Sequence, residues 1–306
     1  MPLAEIAESV RVRVPAKINL HLSVGELRKD GFHDLVTVFQ AVTLYDDVIA
    51  REGAGLQLRV TGDESDDVPD DSRNLAWRAA ELVADHADVP ADVALELRKS
   101  IPVAGGMAGG SADAAAALLA CATLWRTGTP RTDLVKLAAD LGSDVAFPLT
   151  GGTALGQGRG EQITPVLATG EYYWVFALAD FGISAGAAYR ELDKLRSAGN
   201  APAPIGPPDE LLDALRSGDS GRLADSIGND LQPAALSLHP ELRDVLDAGA
   251  ELGALAGMVC GSGPTCAFLC AHADAAAELA DGLDAARVCR TTRLATAPAH
   301  GARVCA

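Results

Sequence analysis

The stretch Pro102-Val103-Ala104-Gly105-Gly106-Met107-Ala108-Gly109-Gly110-Ser111-Ala112-Asp113 decides how the rest of the chain is read. Glycine lets a backbone turn through conformations closed to other residues, and lets N–H groups approach a ligand with no Cβ in the way. Before this loop, 93–99 (VALELRK) reads as a strand. After it, 111–125 (SADAAAALLACATLW) predicts a helix that is apolar nearly all round and therefore buried. The first N–H groups of such a helix are unpaired and carry partial positive charge. Strand, glycine loop and helix together make an anion site suited to nucleotide phosphates. It is not the Walker pattern: Gly105 and Gly110 have the right interval, but Ser111-Ala112 stands where Lys-Ser/Thr would follow. Nor is it the dinucleotide fingerprint. A glycine-rich connection with Ser111 as an ordinary helix cap is the plain alternative.

Outward from the loop, 10–24, 35–50 and 56–61 read as strands of a mixed sheet, and 72–87 as a surface helix with Ser72 as its cap. A short amphipathic helix at 131–141 precedes a second glycine-dense segment, 151–160, where regular structure is expected to pause. Then come a strand at 174–179, a helix at 184–197, an exposed loop at 198–208, helices at 209–216, 219–228 and 241–253, strands at 257–260 and 266–270 around the turn 261–265, and a helix at 273–285. Strands and helices mix without strict βαβ alternation, which predicts an α+β fold rather than a doubly wound sheet. The length, 306 residues, suits two domains, expected at 1–165 and 166–306.

The charge balance, 25 Lys+Arg against 42 Asp+Glu, is −17 and repels the phosphates of DNA, RNA or an anionic bilayer, so neither nucleic acid nor a membrane is expected as a partner. A phosphate-bearing substrate would have to be held by local donors. The six cysteines form no C-x-x-C pair, no histidine stands at metal-ligand spacing, and the first fourteen residues lack the order of a secretory signal. Reduced thiols and a cytoplasmic location are expected. Residues 252–271 are uncharged over a span long enough to cross a bilayer, but Gly261-Ser262-Gly263-Pro264 would break a spanning helix, and the flanks read as buried strands.

Further candidates lie away from the loop. Lys17, Asn19 and His21 fall two apart on a predicted strand and so share a face, where Lys17 and Asn19 suit an oxygen-rich ligand. A polar sheet face in water is the bland alternative. Asp144 follows a helix-ending Gly142, where spacing alone favours a cap or turn carboxylate over a catalytic one. The turn Asp30-Gly31-Phe32-His33 sets a ring beside an imidazole, as a planar base requires, although a hairpin explains Asp30-Gly31 as well.

Six segments stand in the order found in the GHMP kinase superfamily: PAKINL at 15–20, DGFH at 30–33, PVAGGMAGGSADAA at 102–115, GSDV at 142–145, GRGE at 158–161 and GSGPT at 261–265. The chain resembles that superfamily over nearly its whole length, and within it the branch whose acceptor is a cytidine diphosphate polyol. The resemblance implies a two-domain fold, an N-terminal mixed α/β catalytic domain and a smaller C-terminal α+β domain, with substrates in the cleft between. It implies transfer of the ATP γ-phosphoryl group to the 2-hydroxyl of a methylerythritol carrying cytidine diphosphate, a step toward isoprenoid precursors, with Mg²⁺ on the nucleotide. ATP would be wrapped by Pro102 through Ala112, with Ser111 and Asp113 near the phosphates. Lys17 and Asp144 match the catalytic pair and Asn19 a residue of the acceptor pocket. Phe32 and His33 match the turn that receives the base, and Tyr189 the aromatic on its opposite face.

The family's usual Tyr is Phe32 here, its Ser-Thr is Ser184-Ala185, and its Ser-Ser is Ser111-Ala112. A carboxylate is a weak base at neutral pH, and a loose phosphoryl-transfer transition state needs little nucleophile activation until late. Asp144 is thus expected to orient the hydroxyl and take its proton late, with Lys17 stabilising the developing charge. The resemblance implies small-molecule partners and a monomer or homodimer. A homoserine, mevalonate or sugar kinase is the alternative within the superfamily, and a non-catalytic nucleotide sensor the alternative outside enzymes. The DGFH turn speaks against the first, and the Lys17/Asp144 pair against the second.

Overall fold

The computed structural model describes residues 9–66 and 68–305. The reading of a missing leader concerns the chain start, most of which, residues 1–8, lies outside the described residues. In chain order the elements are β1 (Ser9–Leu27), β2 (His33–Glu52), β3 (Leu56–Gly62), α1 (Leu75–Ala87), β4 (Val93–Lys99), α2 (Gly109–Leu124), α3 (Arg131–Leu141), α4 (Ala146–Thr150), β5 (Thr153–Gln157), β6 (Gln162–Pro165) and β7 (Tyr172–Leu178). They continue with α5 (Ala185–Ser197), α6 (Asp209–Ser217), α7 (Ser220–Ala224), β8 (Gly228–Asn229), α8 (Gln232–Leu238), α9 (Leu242–Glu251), β9 (Ala256–Val259), β10 (Cys266–Cys270), α10 (Ala273–Ala286), β11 (Thr291–Ala297) and β12 (Arg303–Cys305).

Two sheets organise the molecule. The larger has the order β12-β1-β2-β4-β3, with β5 and β8 attached to β2 and β1 and β6 beyond β5; β3 runs parallel to β4, so the sheet is mixed. The smaller, β11-β7-β10-β9, is antiparallel throughout. Helix α2 packs on β1 and β2 and is sheathed by α1, α3 and α4. Its alanines Ala112, Ala114, Ala115, Ala116 and Ala117 are all fully buried, because side chains this small let the helix approach the sheet closely. The uncharged stretch 252–271 contributes β9 and β10, and among the described residues no helix is long and apolar enough to cross a membrane.

Several local expectations are corrected. Helix α1 starts at Leu75, because Asn74 rather than Ser72 is its cap: the Asn74 side chain accepts from the Ala76 N–H at 2.8 Å and donates to the Pro69 carbonyl. Helix α2 starts two residues early, with Ala108 in the left-handed region at its cap position, so Ser111 lies inside the first turn and caps nothing. Regular structure does not pause at 151–160. There β5 pairs with β2, and Gly156 makes this fit, since a Cβ on it would stand 2.7 Å from the Phe39 ring. The helical pattern at 219–228 is cut short into α7 and β8, and β12, only three residues long, closes the first sheet beside β1.

Candidate active site

The loop between β4 and α2 is pressed against the turn 260–265. Gly106 has φ +79°, and a Cβ there would stand 1.9 Å from the Cys260 carbonyl oxygen, so only glycine is accommodated. Its neighbour Gly105 is also crowded, though less so, with 2.8 Å to Thr265 Oγ1. The loop then enters α2 with no side chain capping the first turn and no acidic residue in it. The amides of Gly109, Gly110 and Ser111 precede the first helical hydrogen bond, from Ala112 N to Ala108 O, and stand beside a cavity of about 410 Å³. Pro102, Ala104, Gly105, Gly106, Ala108, Gly109, Gly110 and Ser111 line this cavity. Val103 is turned to solvent, while Met107 and Ala112 are fully buried in the core.

Beneath the loop lies a buried ionic cluster that the sequence reading did not anticipate. Lys99, 1% exposed, ends β4 and is bound by Asp46 of β2 and, at 2.7 Å, by Asp113 of α2. Asp46 also accepts the backbone N–H groups of Ser100 and Ile101 at 2.6 and 2.9 Å. The cluster ties the two ends of the glycine loop together, and Gly109 fits against it, 3.2 Å separating its missing Cβ from Lys99 Nζ. Burial, opposed by Lys99 and reinforced by Asp46, pushes the Asp113 carboxyl up to about 7. Asp113 is therefore a corrected expectation: it faces the core under α2 rather than the phosphate cavity, while Ser111 does line it.

Lys17 rises from β1 into the same cavity. Its ammonium donates to Asn19 Oδ1 at 2.7 Å, stands 3.4 Å from Asp144 Oδ2 and lies 5.4 Å from the centre of the Phe39 ring. The Asn19 amide is held in turn: its nitrogen donates to Thr37 Oγ1 at 2.8 Å, and that hydroxyl donates to the His21 carbonyl at 2.7 Å. Asp144 sits in the turn between α3 and α4 with its side chain 36% exposed, where Lys17 is 6%. Gly261 completes the enclosure, 3.3 Å separating its missing Cβ from Asn19 Oδ1. The bland reading of the strand does not survive, because this face of β1 is buried rather than in water; Asp144 is a turn carboxylate, and from that turn it faces Lys17. His21 does not share that face. The β1–β2 register shifts between Asn19 and His21, turning the imidazole toward a separate cavity beside Ile205 and Asp225 and bringing Leu22 into its place. Burial lowers the His21 pKa.

A second cavity, about 640 Å³, adjoins the first and shares Leu35, Ser111, Asp144, Ala185 and Tyr189 with it. Phe32, half exposed, and His33 line it from the turn between β1 and β2. His33 donates through Nδ1 to the Gly25 carbonyl (3.0 Å) and faces Asp193 through Nε2 (3.4 Å). Tyr189 of α5 stacks on His33 at 5.3 Å, and burial, with Asp144 nearby, raises its pKa and keeps the phenol neutral. Arg159 lies over the Phe32 ring at 5.0 Å. Thr37, Phe39 and Arg159 were missed by sequence reasoning. Thr37 and Phe39 sit in an unremarkable strand pattern, and only the GRGE segment marked Arg159.

An ammonium and a carboxylate facing unpaired backbone amides across one cavity can hold a polyphosphate and an alcohol together, which is the chemistry of a small-molecule kinase. Residues 74–153 match the N-terminal domain of GHMP kinases and residues 211–288 their C-terminal domain. The chain is 58% identical to the 4-diphosphocytidyl-2-C-methyl-D-erythritol kinase of Mycolicibacterium smegmatis, covering 97% of this chain and 92% of the relative. It is 55% identical to the enzyme of that name from Mycobacterium tuberculosis, covering 97% and 93%. Among solved structures, a 4-(cytidine 5'-diphospho)-2C-methyl-D-erythritol kinase superposes with a TM-score of 0.76 at 31% identity, over 94% of this chain and 99% of that one. A homoserine kinase from Cytophaga hutchinsonii shares the fold, with a TM-score of 0.77 at 18% identity over the whole of both chains. The chain belongs to the GHMP kinase family and, within it, to the 4-diphosphocytidyl-2-C-methyl-D-erythritol kinases.

Proposed function

We infer that the protein transfers the γ-phosphoryl group of ATP to the 2-hydroxyl of 4-diphosphocytidyl-2-C-methyl-D-erythritol, in the synthesis of isoprenoid precursors. The observation that carries this reading at the level of residues is the 3.4 Å approach of Lys17 Nζ to Asp144 Oδ2, on the wall of a cavity whose other wall is the glycine loop. ATP phosphates lie against the amides of Gly109, Gly110 and Ser111, where the helix dipole and unpaired N–H groups replace the cation a Walker loop would supply. The acceptor hydroxyl lies between Lys17 and Asp144. Asn19, locked by Thr37, holds the ammonium in position. The hydroxyl oxygen attacks the γ-phosphorus, the bond to ADP breaks, and the proton passes late to Asp144 while Lys17 offsets the charge on the oxygen. The cytosine lies at Phe32, His33 and Tyr189.

A Mg²⁺ ion fits this arrangement. Among the described residues no cluster of three ligating side chains could hold a metal, but Mg²⁺ on a nucleotide needs only one or two protein oxygens besides phosphates and water. The Ser111 hydroxyl on the cavity wall would supply one, and the ion would neutralise phosphate charge. We further propose a domain division at 165/166, a cytoplasmic location and a monomer or homodimer. The function is tested by ADP release over a panel of alcohols with and without the cytidyl group. Turnover confined to the cytidine diphosphate polyol is expected, and equal turnover of homoserine or mevalonate would overturn it.

A further inference from the structure

The base end and the reacting end of the site are joined by a stretch of cavity wall to which no role is attached. Arg159 occupies it. It stands on the turn between β5 and β6, and both flanks of that turn are hydrogen-bonded: the Leu35 N–H donates to the Gly158 carbonyl at 2.7 Å, and the Gly160 N–H donates to the Gln157 carbonyl at 3.0 Å. The guanidinium is poorly neutralised. Among the described residues the one carboxylate oxygen within 4.0 Å is Glu161 Oε1 at 4.0 Å, and the other Glu161 oxygen is taken by the Arg159 backbone N–H at 2.7 Å. Its face rests on the Phe32 ring at 5.0 Å, a weak tether at so exposed a site. Of the other charged groups lining this cavity, Asp144 and Asp193 are acidic, and Arg190 lies along α5 beside Gly186.

We propose that Arg159 binds the diphosphate of the nucleotide acceptor, leaving the Phe32 face when the base arrives and closing on the phosphate oxygens between base and reacting alcohol. This rests on the acceptor reading given above. A ligand with its base at Phe32 and its hydroxyl at Asp144 must carry its two phosphates past this turn. A protein of net charge −17 needs a local cation to hold that dianion, and a guanidinium fork matches phosphate oxygens bidentately. Arg159 thereby sets specificity for a nucleoside diphosphate over a nucleoside.

The test is calorimetric titration of CDP and of cytidine into wild type, Arg159→Gln and Arg159→Lys, with the KM for ATP and the melting temperature as controls. Arg159→Gln is expected to weaken CDP about 10- to 100-fold, the scale of a lost charge-assisted hydrogen bond, with cytidine within about twofold of wild type, ATP KM unchanged and Arg159→Lys intermediate. CDP affinity unchanged in Arg159→Gln would overturn the assignment while leaving the acceptor reading intact. Equal losses for cytidine and CDP would also overturn it, by showing that the residue acts through Phe32 alone. Wild type that binds neither ligand would sink both.

Discussion

Two lysines on one sheet face aspartates, and the difference between them separates scaffold from chemistry. Lys99 is walled in by Asp46 and Asp113, all three at most 1% exposed, so its charge is consumed inside the protein and none is left for a ligand. Lys17 is almost as buried, but its close partner is the neutral Asn19 amide, and its carboxylate stands at 3.4 Å, beyond the usual length of a charge-assisted hydrogen bond, at the edge of a cavity. One arrangement fixes where the glycine loop sits. The other keeps a positive charge available for an oxygen that develops negative charge.

Substitutions at the two lysine sites should therefore diverge in what they disturb. Asp144→Asn is expected to lower kcat by about 10²- to 10⁴-fold, the usual worth of a positioned acid–base group, with ATP and acceptor affinities nearly unchanged. Steady-state kinetics and titration check this, and near-normal kcat would remove Asp144 from the reaction. Lys99→Met is expected to cost about 3–5 kcal/mol in stability, because it leaves two buried carboxylates facing each other. Urea unfolding measures that loss, and wild-type stability would show the cluster to be ornamental.

Asp113 sharpens the contrast through pH. Burial lifts its carboxyl from 3.8 to about 7, so between those values the folded protein holds a proton that the unfolded chain has released. Its contribution to stability is fullest below pH 3.8 and is lost as pH rises toward 7. Asp113→Asn should flatten the stability curve over that window relative to wild type, and parallel curves would contradict the assignment. The smallest effect tests the loop. Gly110 has open space where a Cβ would go and lies in the first turn of α2, so Gly110→Ala should keep or slightly raise stability. The methyl group should still raise the KM for ATP several-fold by standing between amide and phosphate. An unchanged KM would place the phosphates elsewhere.

The ease with which each region is read from sequence follows the same division. The phosphate loop lies in one continuous segment whose conformational demands are met by glycine alone, so its place between β4 and α2 is legible. The buried cluster is not, because Asp46 and Asp47 are adjacent and only strand alternation and register decide between them. Asp47 turns outward to Arg11 and Arg13, and Asp46 inward to Lys99. His21 misleads for a related reason: spacing by two implies a shared face only while the register holds, and a bulge after Asn19 breaks it. Short elements such as β12 and α4 depend on what they pack against, which no local pattern records.

The most direct measurement is a crystal structure with a non-hydrolysable ATP analogue and the cytidine diphosphate polyol bound together. The account predicts phosphate oxygens on the amides of Gly109, Gly110 and Ser111, with the acceptor 2-hydroxyl between Lys17 Nζ and Asp144. A triphosphate bound away from α2, or a hydroxyl out of reach of that pair, would contradict it.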